Sequence, residues 1–411
     1  MIALLRQRDY GLLWSSQLIS QLGNWALFAA LPFFVFQLTG SVLATGVMFI
    51  AEVIPPLLLG SVAGVFVDRW DRRWTMIGAN VARGLLLLLL LSLRTADQVW
   101  VVYVVGFFGA IANLLFGPAN NALLPQLVGK DELVTANALD ALGENIARIL
   151  GPALGGALLA ALGLGAVALI DVGSYLIGAG LIFLIRGQAP TSERGLSAGT
   201  ARSISTEWVD FWREWIGGLQ LVRQSRPLLS AFLVFGVALV GDSILSVLLV
   251  VFVQDVVHAG AQEFGWILTA RGVGGVLGGL VVARFGSRLG PKNLMAYGMA
   301  GSGALLFIIL LFPVLPIILG AVVAAGLPIM AWLIAGQTWL QVHSEDQYRG
   351  RVFGAFETYS ALMGLLGLGF ATLGGEALGA VSSLTISALL FTSAGLLAYF
   401  LLEPRTQQSG E

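Results

Sequence analysis

The leucine run Leu85–Leu91 is unbroken, and the apolar stretch around it extends from Ile77 to Leu93. The stretch Leu305–Leu327 carries no charge at all. Segments of roughly 20 mostly apolar residues are long enough to cross a bilayer core as helices. Hydrocarbon offers no partner to a free backbone amide, so such segments have to be helical throughout. Composition agrees: 57% of the residues are hydrophobic and 11% charged, against about 25% charged in a soluble domain.

Breaks at charges, Gly and Pro divide the chain into twelve expected spans. They lie near 10–38, 41–67, 73–93, 99–124, 133–162 and 165–186, then 226–256, 262–286, 290–312, 315–342, 348–375 and 380–402. Tyr10–Leu38 is too long for a signal peptide and reads as the first span. With both termini assigned to the cytoplasm, nearly every loop Lys or Arg, from Arg6 and Arg8 to Arg405, falls on the cytoplasmic side. Arg94 alone falls outside, as expected of a multi-pass protein of the cell (inner) membrane. The expected organisation is a six-helix half over 1–186, a linker over 187–225, a second half over 226–404 and a short tail over 405–411. Within the linker, Trp208, Phe211, Trp212, Trp215, Ile216, Leu219 and Val222 recur at helical spacing, the pattern of a helix lying in the headgroup region or packed beneath the bundle.

The two halves repeat one another. Gly60, Gly64, Asp68, Arg69, Asp71 and Arg73 align with Gly279, Ala283, Ser287, Arg288, Gly290 and Lys292. Pro125-Gln126 and Asp131 align with Leu340-Gln341 and Asp346. Two related halves around a midplane site suit a carrier in which one half rocks against the other.

The loop after the second span, with Gly60, Gly64, Asp68, Arg69, Arg72 and Arg73, resembles the loop signature of the major facilitator superfamily, Asp71 replacing the usual glycine. Arg72 and Arg73 are expected to pair with cytoplasmic carboxylates, and the resemblance implies a gating loop that latches the halves. It also implies an all-α membrane fold of twelve transmembrane helices in two pseudo-symmetric halves. In the fifth span Gly151, Pro152, Gly155 and Gly156 resemble the Gly-Pro-x-x-Gly-Gly motif of drug:proton antiporters, with Ala138 and Ala147 at that motif's upstream glycines. Phe116–Pro125, Leu133–Asn137 and the opening Arg8–Trp14 resemble the branch containing macrolide efflux proteins; enterobactin exporters and lysophospholipid transporters share parts of the pattern. The resemblance implies export of small amphipathic compounds in exchange for protons. The alternative of the same fold is a lysophospholipid flippase or siderophore exporter without proton coupling.

A charge inside a span costs roughly 2.5–3.5 kcal/mol on insertion scales unless it pairs or faces water. Such residues here include Glu52, Arg83, Glu144, Arg148, Asp171, Asp242, Arg271 and Glu357. Glu52 is the first candidate for proton coupling because no Arg lies within a turn of it. Asp242 and Glu357 follow, and Asp171 ranks last as nearer the outer surface. Arg271 occupies the position corresponding to Glu52 in the second half, and Glu144 and Arg148 are spaced to neutralise each other on one helix face. Gln17, Gln21, Asn24, Asn113 and Gln337 are available to hydrogen-bond a cargo. Buried acids favour a bulky, cationic amphipath among aromatic walls.

Other classes are poorly served. There is no cysteine, and only two histidines are present, so thiolate zinc and iron–sulfur sites are excluded and no metal or other cofactor is expected. Lys130 and Lys292 are the only lysines, and neither stands in a phosphate-binding loop. No nucleophile–base grouping points to an enzyme. The expected partners are membrane lipid, protons and a small amphipathic substrate, with no nucleic acid, and a monomer is expected.

Overall fold

In the computed structural model the described residues are 2–186 and 217–403, with the backbone alone described for 2 and 61–69. After a short helical turn at Ile2–Leu5 come α1 (Arg8–Thr39), α2 (Val42–Arg69), α3 (Arg72–Leu87), α4 (Trp100–Leu127), α5 (Leu133–Leu162) and α6 (Leu164–Phe183). Then follow α7 (Arg226–Asp255), α8 (Ala261–Phe285), α9 (Gly290–Leu311), α10 (Leu315–His343), α11 (Arg349–Leu378) and α12 (Ala380–Leu401). All twelve are long and apolar enough to cross a membrane. The polyleucine run is not α-helical throughout, because after Leu87 it tightens into a 3-10 segment at Leu88–Ser92.

Helix ends follow local chemistry. Gly40 closes α1 in the left-handed conformation, φ 61°, with its N–H on the Phe36 carbonyl at 2.8 Å. Gly163 and Gly379, at the spacing of the repeat, make the turns into α6 and α12 with φ of 79° and 82°. A side chain is disfavoured in that region, so the same hairpin recurs in both halves.

The chain divides into two compact units. One comprises Met1–Phe211 with Gly260–Thr269, the other Trp212–Ala259 with Ala270–Glu411. In the first, α1 packs on α5 and α6, α2 on α4, and α3 on α4 and α6. In the second, α7 packs on α11 and α12, and α9 on α10 and α12, which reproduces four of the first unit's five pairings. Leu85, Leu373 and Phe400 are 59%, 71% and 74% exposed. Large apolar side chains left this bare are what helices facing lipid present, since hydrocarbon solvates them as well as a core does.

Glycine sets how closely the helices approach. A methyl on Gly155 would overlap the backbone of Ala26 in α1, and one on Gly156 would overlap the Ala261 carbonyl of the segment that belongs to the same unit. The span-five glycines are therefore a contact surface. In the second unit Gly274 and Gly278 of α8 meet Val323 and Gly326 of α10 in the same manner. Of the linker's aromatic pattern, Trp208, Phe211, Trp212, Trp215 and Ile216 lie outside the described residues. Its helical end over 217–224 packs on the second unit: Val222 is 3% exposed within that unit's core, and Gly218 abuts Arg351 and Ala355 of α11.

Candidate functional site

A cavity of about 320 Å³ opens among α1, α2, α3, α4 and α6 of the first unit. Asn24, Trp25 and Phe28 line it from α1, Met48, Phe49 and Glu52 from α2, Arg83 from α3, Gly106 and Asn113 from α4, and Asp171 and Tyr175 from α6. Glu52 stands ten residues into α2, ~15 Å along the helix at 1.5 Å per residue. Its side chain reaches toward α4 because Gly106 leaves room: a Cβ there would sit 3.2 Å from Glu52 Cγ. No ion pair or hydrogen bond holds the Glu52 carboxylate among the described residues.

The opposite wall is built differently. The Arg83 guanidinium lies over the Tyr175 ring, 5.0 Å from its centroid, a cation–π contact. Asp171 is 1% exposed, pressed against α1 where Gly23 has no side chain. Ser174 Oγ donates to Asp171 Oδ1 at 2.9 Å, and Asp171 Oδ2 has no hydrogen-bond partner among the described residues. Asp171, ranked last by depth along its helix, thus shares the cavity of the first-ranked Glu52. Asn24 and Asn113 join them there.

The remaining candidates lie elsewhere. Gln17 Nε2 donates to Asn120 Oδ1 at 2.8 Å and ties α1 to α4. Gln17, Gln21 and Glu144 border a separate narrow crevice beside Asp140. The expected neutralisation of Glu144 by Arg148 does not occur: Arg148 Nη2 donates to Asn145 Oδ1 at 2.8 Å, and Glu144 is exposed. An amide one turn away suits Arg148 because it supplies an acceptor without a second desolvated charge. In the second unit Arg271 pairs with Asp242 at 3.4 Å, both side chains about 40% exposed. Gln337 and Glu357 are exposed on α10 and α11 of that unit.

The arginine-rich loop also departs from expectation. Among the described residues Arg72 and Arg73 take no carboxylate. Arg72 Nη1 donates to the Ala122 carbonyl at 3.1 Å, while Arg73 donates to the carbonyls of Ile182, at 3.2 Å, and Phe183. Arg8 Nη2 reaches the next carbonyl, Leu184, at 3.2 Å. The last carbonyls of a helix have no intrahelical partner and carry its negative dipole end, so Arg8 and Arg73 together cap α6. Asp71, where the related motif has glycine, is the N-cap of α3 and accepts from Trp74 N at 3.0 Å. A Cβ on Gly60 would meet nothing within 4 Å among the described residues, and the side-chain positions of Gly64, Asp68 and Arg69 lie outside them.

Sequence reasoning flagged Arg83 only as a charge within a span and passed over Tyr175 and the Tyr10–Asp140 pair, where Tyr10 Oη donates to Asp140 Oδ1 at 3.2 Å. Positions far apart in the chain give no sign of meeting. An aromatic residue four positions from an in-span acid, as Tyr175 is from Asp171, was the available signal for a shared helix face.

Residues 1–410 match the model of a family described as "Transmembrane secretion effector". Among curated relatives, macrolide efflux protein A of Streptococcus pyogenes is 25% identical over 87% of this chain and 86% of its own length. The multidrug efflux pump Tap of Mycolicibacterium fortuitum is 26% identical over 94% of this chain and 93% of its own. Among solved structures, a bacterial homologue of the iron transporter ferroportin in the inward-facing state superposes with a TM-score of 0.78 at 14% identity, covering 97% of this chain and 99% of that one.

Proposed function

The chain belongs to the transmembrane secretion effector family of the major facilitator superfamily, and from that premise we propose that it exports small amphipathic compounds in exchange for protons by alternating access. The observation that carries this reading is Glu52, an acid within a membrane-spanning helix that lines an aromatic-walled cavity without an ion-pair partner among the described residues. A carboxylate with no cation beside it is neutral or charged according to whether water or a partner reaches it. Alternating exposure therefore loads and unloads a proton, and cargo competes for the emptied site. Asp171, in the same cavity, is the second proton site. Asp242, bound to Arg271, and the exposed Glu357 are weaker candidates because each already has a partner or solvent. The named activities of the macrolide and multidrug relatives support export. The protein works as a monomer in the cell membrane with both termini cytoplasmic.

The test is export from proteoliposomes loaded with a fluorescent amphipathic drug. With an imposed proton gradient, wild type expels drug against its concentration gradient, and Glu52→Gln is expected to lose at least tenfold of the gradient-driven rate. Transport that ignores collapse of the gradient in wild type would leave an uncoupled carrier of the same fold.

A further inference from the structure

We propose that the cavity selects zwitterionic amphiphiles, receiving the cargo's cationic centre on Glu52, its anionic centre on Arg83 and its apolar part on the aromatic wall. The inference rests on the reading that this cavity carries cargo, but it changes the chemistry expected of that cargo. Buried acids alone point to a simple cation. Arg83 contradicts that, because its guanidinium offers five N–H donors and, among the described residues, no hydrogen bond or ion pair engages them. Its described contacts are the face of Tyr175 and an electrostatic attraction to Asp171 across the same cavity. Asp171 does not neutralise it at ion-pair distance; its Oδ1 is committed to Ser174 and its Oδ2 is free.

The two unpaired charges stand on different walls. Glu52 projects from α2 toward Gly106 of α4, whereas Arg83 is held from α3 against α6, and the two are not within 4 Å of each other. A lone charge inside a span is expensive, and two opposite charges held apart in one cavity are each stabilised by a ligand carrying both signs. A plain cation would sit beside Arg83 and a plain anion beside Glu52 and Asp171, and such like-charge placements cost affinity. A dipolar head avoids both. Trp25, Phe28, Met48 and Phe49 then offer the apolar surface for the chain attached to it. The head group could be that of a single-chain phospholipid or of a zwitterionic drug; both present the same pair of charges.

The experiment measures binding to the full chain in lipid nanodiscs by calorimetry, with three amphiphiles that share one alkyl chain and differ in the head: trimethylammonium, sulfonate and sulfobetaine. Wild type is expected to bind the sulfobetaine about tenfold more tightly than either singly charged analogue, a difference of about 1.4 kcal/mol. Arg83→Met should weaken the sulfobetaine and sulfonate by that factor while the ammonium binds at least as tightly as to wild type, which also shows that the variant is folded. Glu52→Gln should do the reverse, weakening sulfobetaine and ammonium while sulfonate binds at least as tightly as to wild type. If Arg83→Met alters none of the three, or wild type prefers the ammonium, the head-group assignment is overturned while the carrier reading stands. If none of the three binds, both fall. A single-chain phosphocholine in a further titration separates the sources: binding as tight as the sulfobetaine's supports a zwitterionic site open to lipid, and weaker binding supports one confined to non-lipid zwitterions.

Discussion

Glu52 owes its freedom to a residue on another helix. Gly106 leaves the space that the acid's methylene occupies, and a Cβ at 3.2 Å from Glu52 Cγ would ask that methylene to give by only a few tenths of an ångström. Gly106→Ala should therefore keep most of the transport rate, whereas Gly106→Leu fills the cavity and should abolish transport without preventing insertion, as checked by folded yield beside the proteoliposome assay. Asp171 tests a different dependence. Its Oδ1 is a hydrogen-bond acceptor for Ser174, and Asn retains an acceptor there, so Asp171→Asn should fold normally and lose part of the gradient-driven rate. Asp171→Leu leaves the Ser174 hydroxyl its bond to the backbone carbonyl of residue 171, at 2.8 Å, but sets a bulkier side chain against Gly23, so it should lower the melting temperature through overpacking. Arg148 shows why pairs of this kind need the three-dimensional view: spacing along one helix nominated Glu144, and the side chain bends instead to Asn145.

Helix by helix, the span-five motif is explained by contact. Gly155 sits against the backbone of Ala26, so adding a side chain must push α1 and α5 apart. Gly155→Val should destabilise the folded state by roughly 1–3 kcal/mol, the usual range for overpacking, read as a lower melting temperature in detergent. Gly180 in α6 makes the control, since nothing lies within 4 Å of the position its Cβ would take. Gly180→Ala should be neutral or stabilise by about 0.5–1 kcal/mol through the lower entropy cost of alanine in a helix. The C-terminus of α6 depends on two arginines from other helices, Arg8 and Arg73. Arg73→Leu should cost about 1–2 kcal/mol through lost charge-assisted bonds to those carbonyls, and hydrogen exchange should report it as earlier opening of the last turn of α6. A gating role for this loop and a capping role for Arg73 are compatible, because the capping bonds stay within one unit.

At the scale of the whole molecule, the absence of cysteine makes topology directly testable. Single cysteines at Trp70 and Lys130 should react with a membrane-impermeant thiol reagent from one face of the bilayer, and one at Ser92 from the other. A cysteine at Ser287 should match Trp70; labelling of those two from opposite faces would sink the repeated carrier architecture. The number and places of the spans were legible in the sequence because the bilayer imposes them: an apolar segment without water has one way to satisfy its amides, and Gly or charge is needed wherever it stops. The repeat was legible for the same reason, since its marks, such as the loop glycines and basic residues, sit where helices end. The cavity was legible only in part. Glu52 could be found from its solitude in the sequence, but its meeting with Asp171 and Arg83, the pairing of Arg271 with Asp242, and the seating of Arg73 on carbonyls rather than carboxylates depend on how each helix is rotated about its axis against neighbours distant in the chain. Hydrophobic patterning leaves that rotation nearly undetermined when lipid and core are equally apolar. Close packing of small residues, as at Gly155 on Ala26, fixes it, and with it which charges face one another.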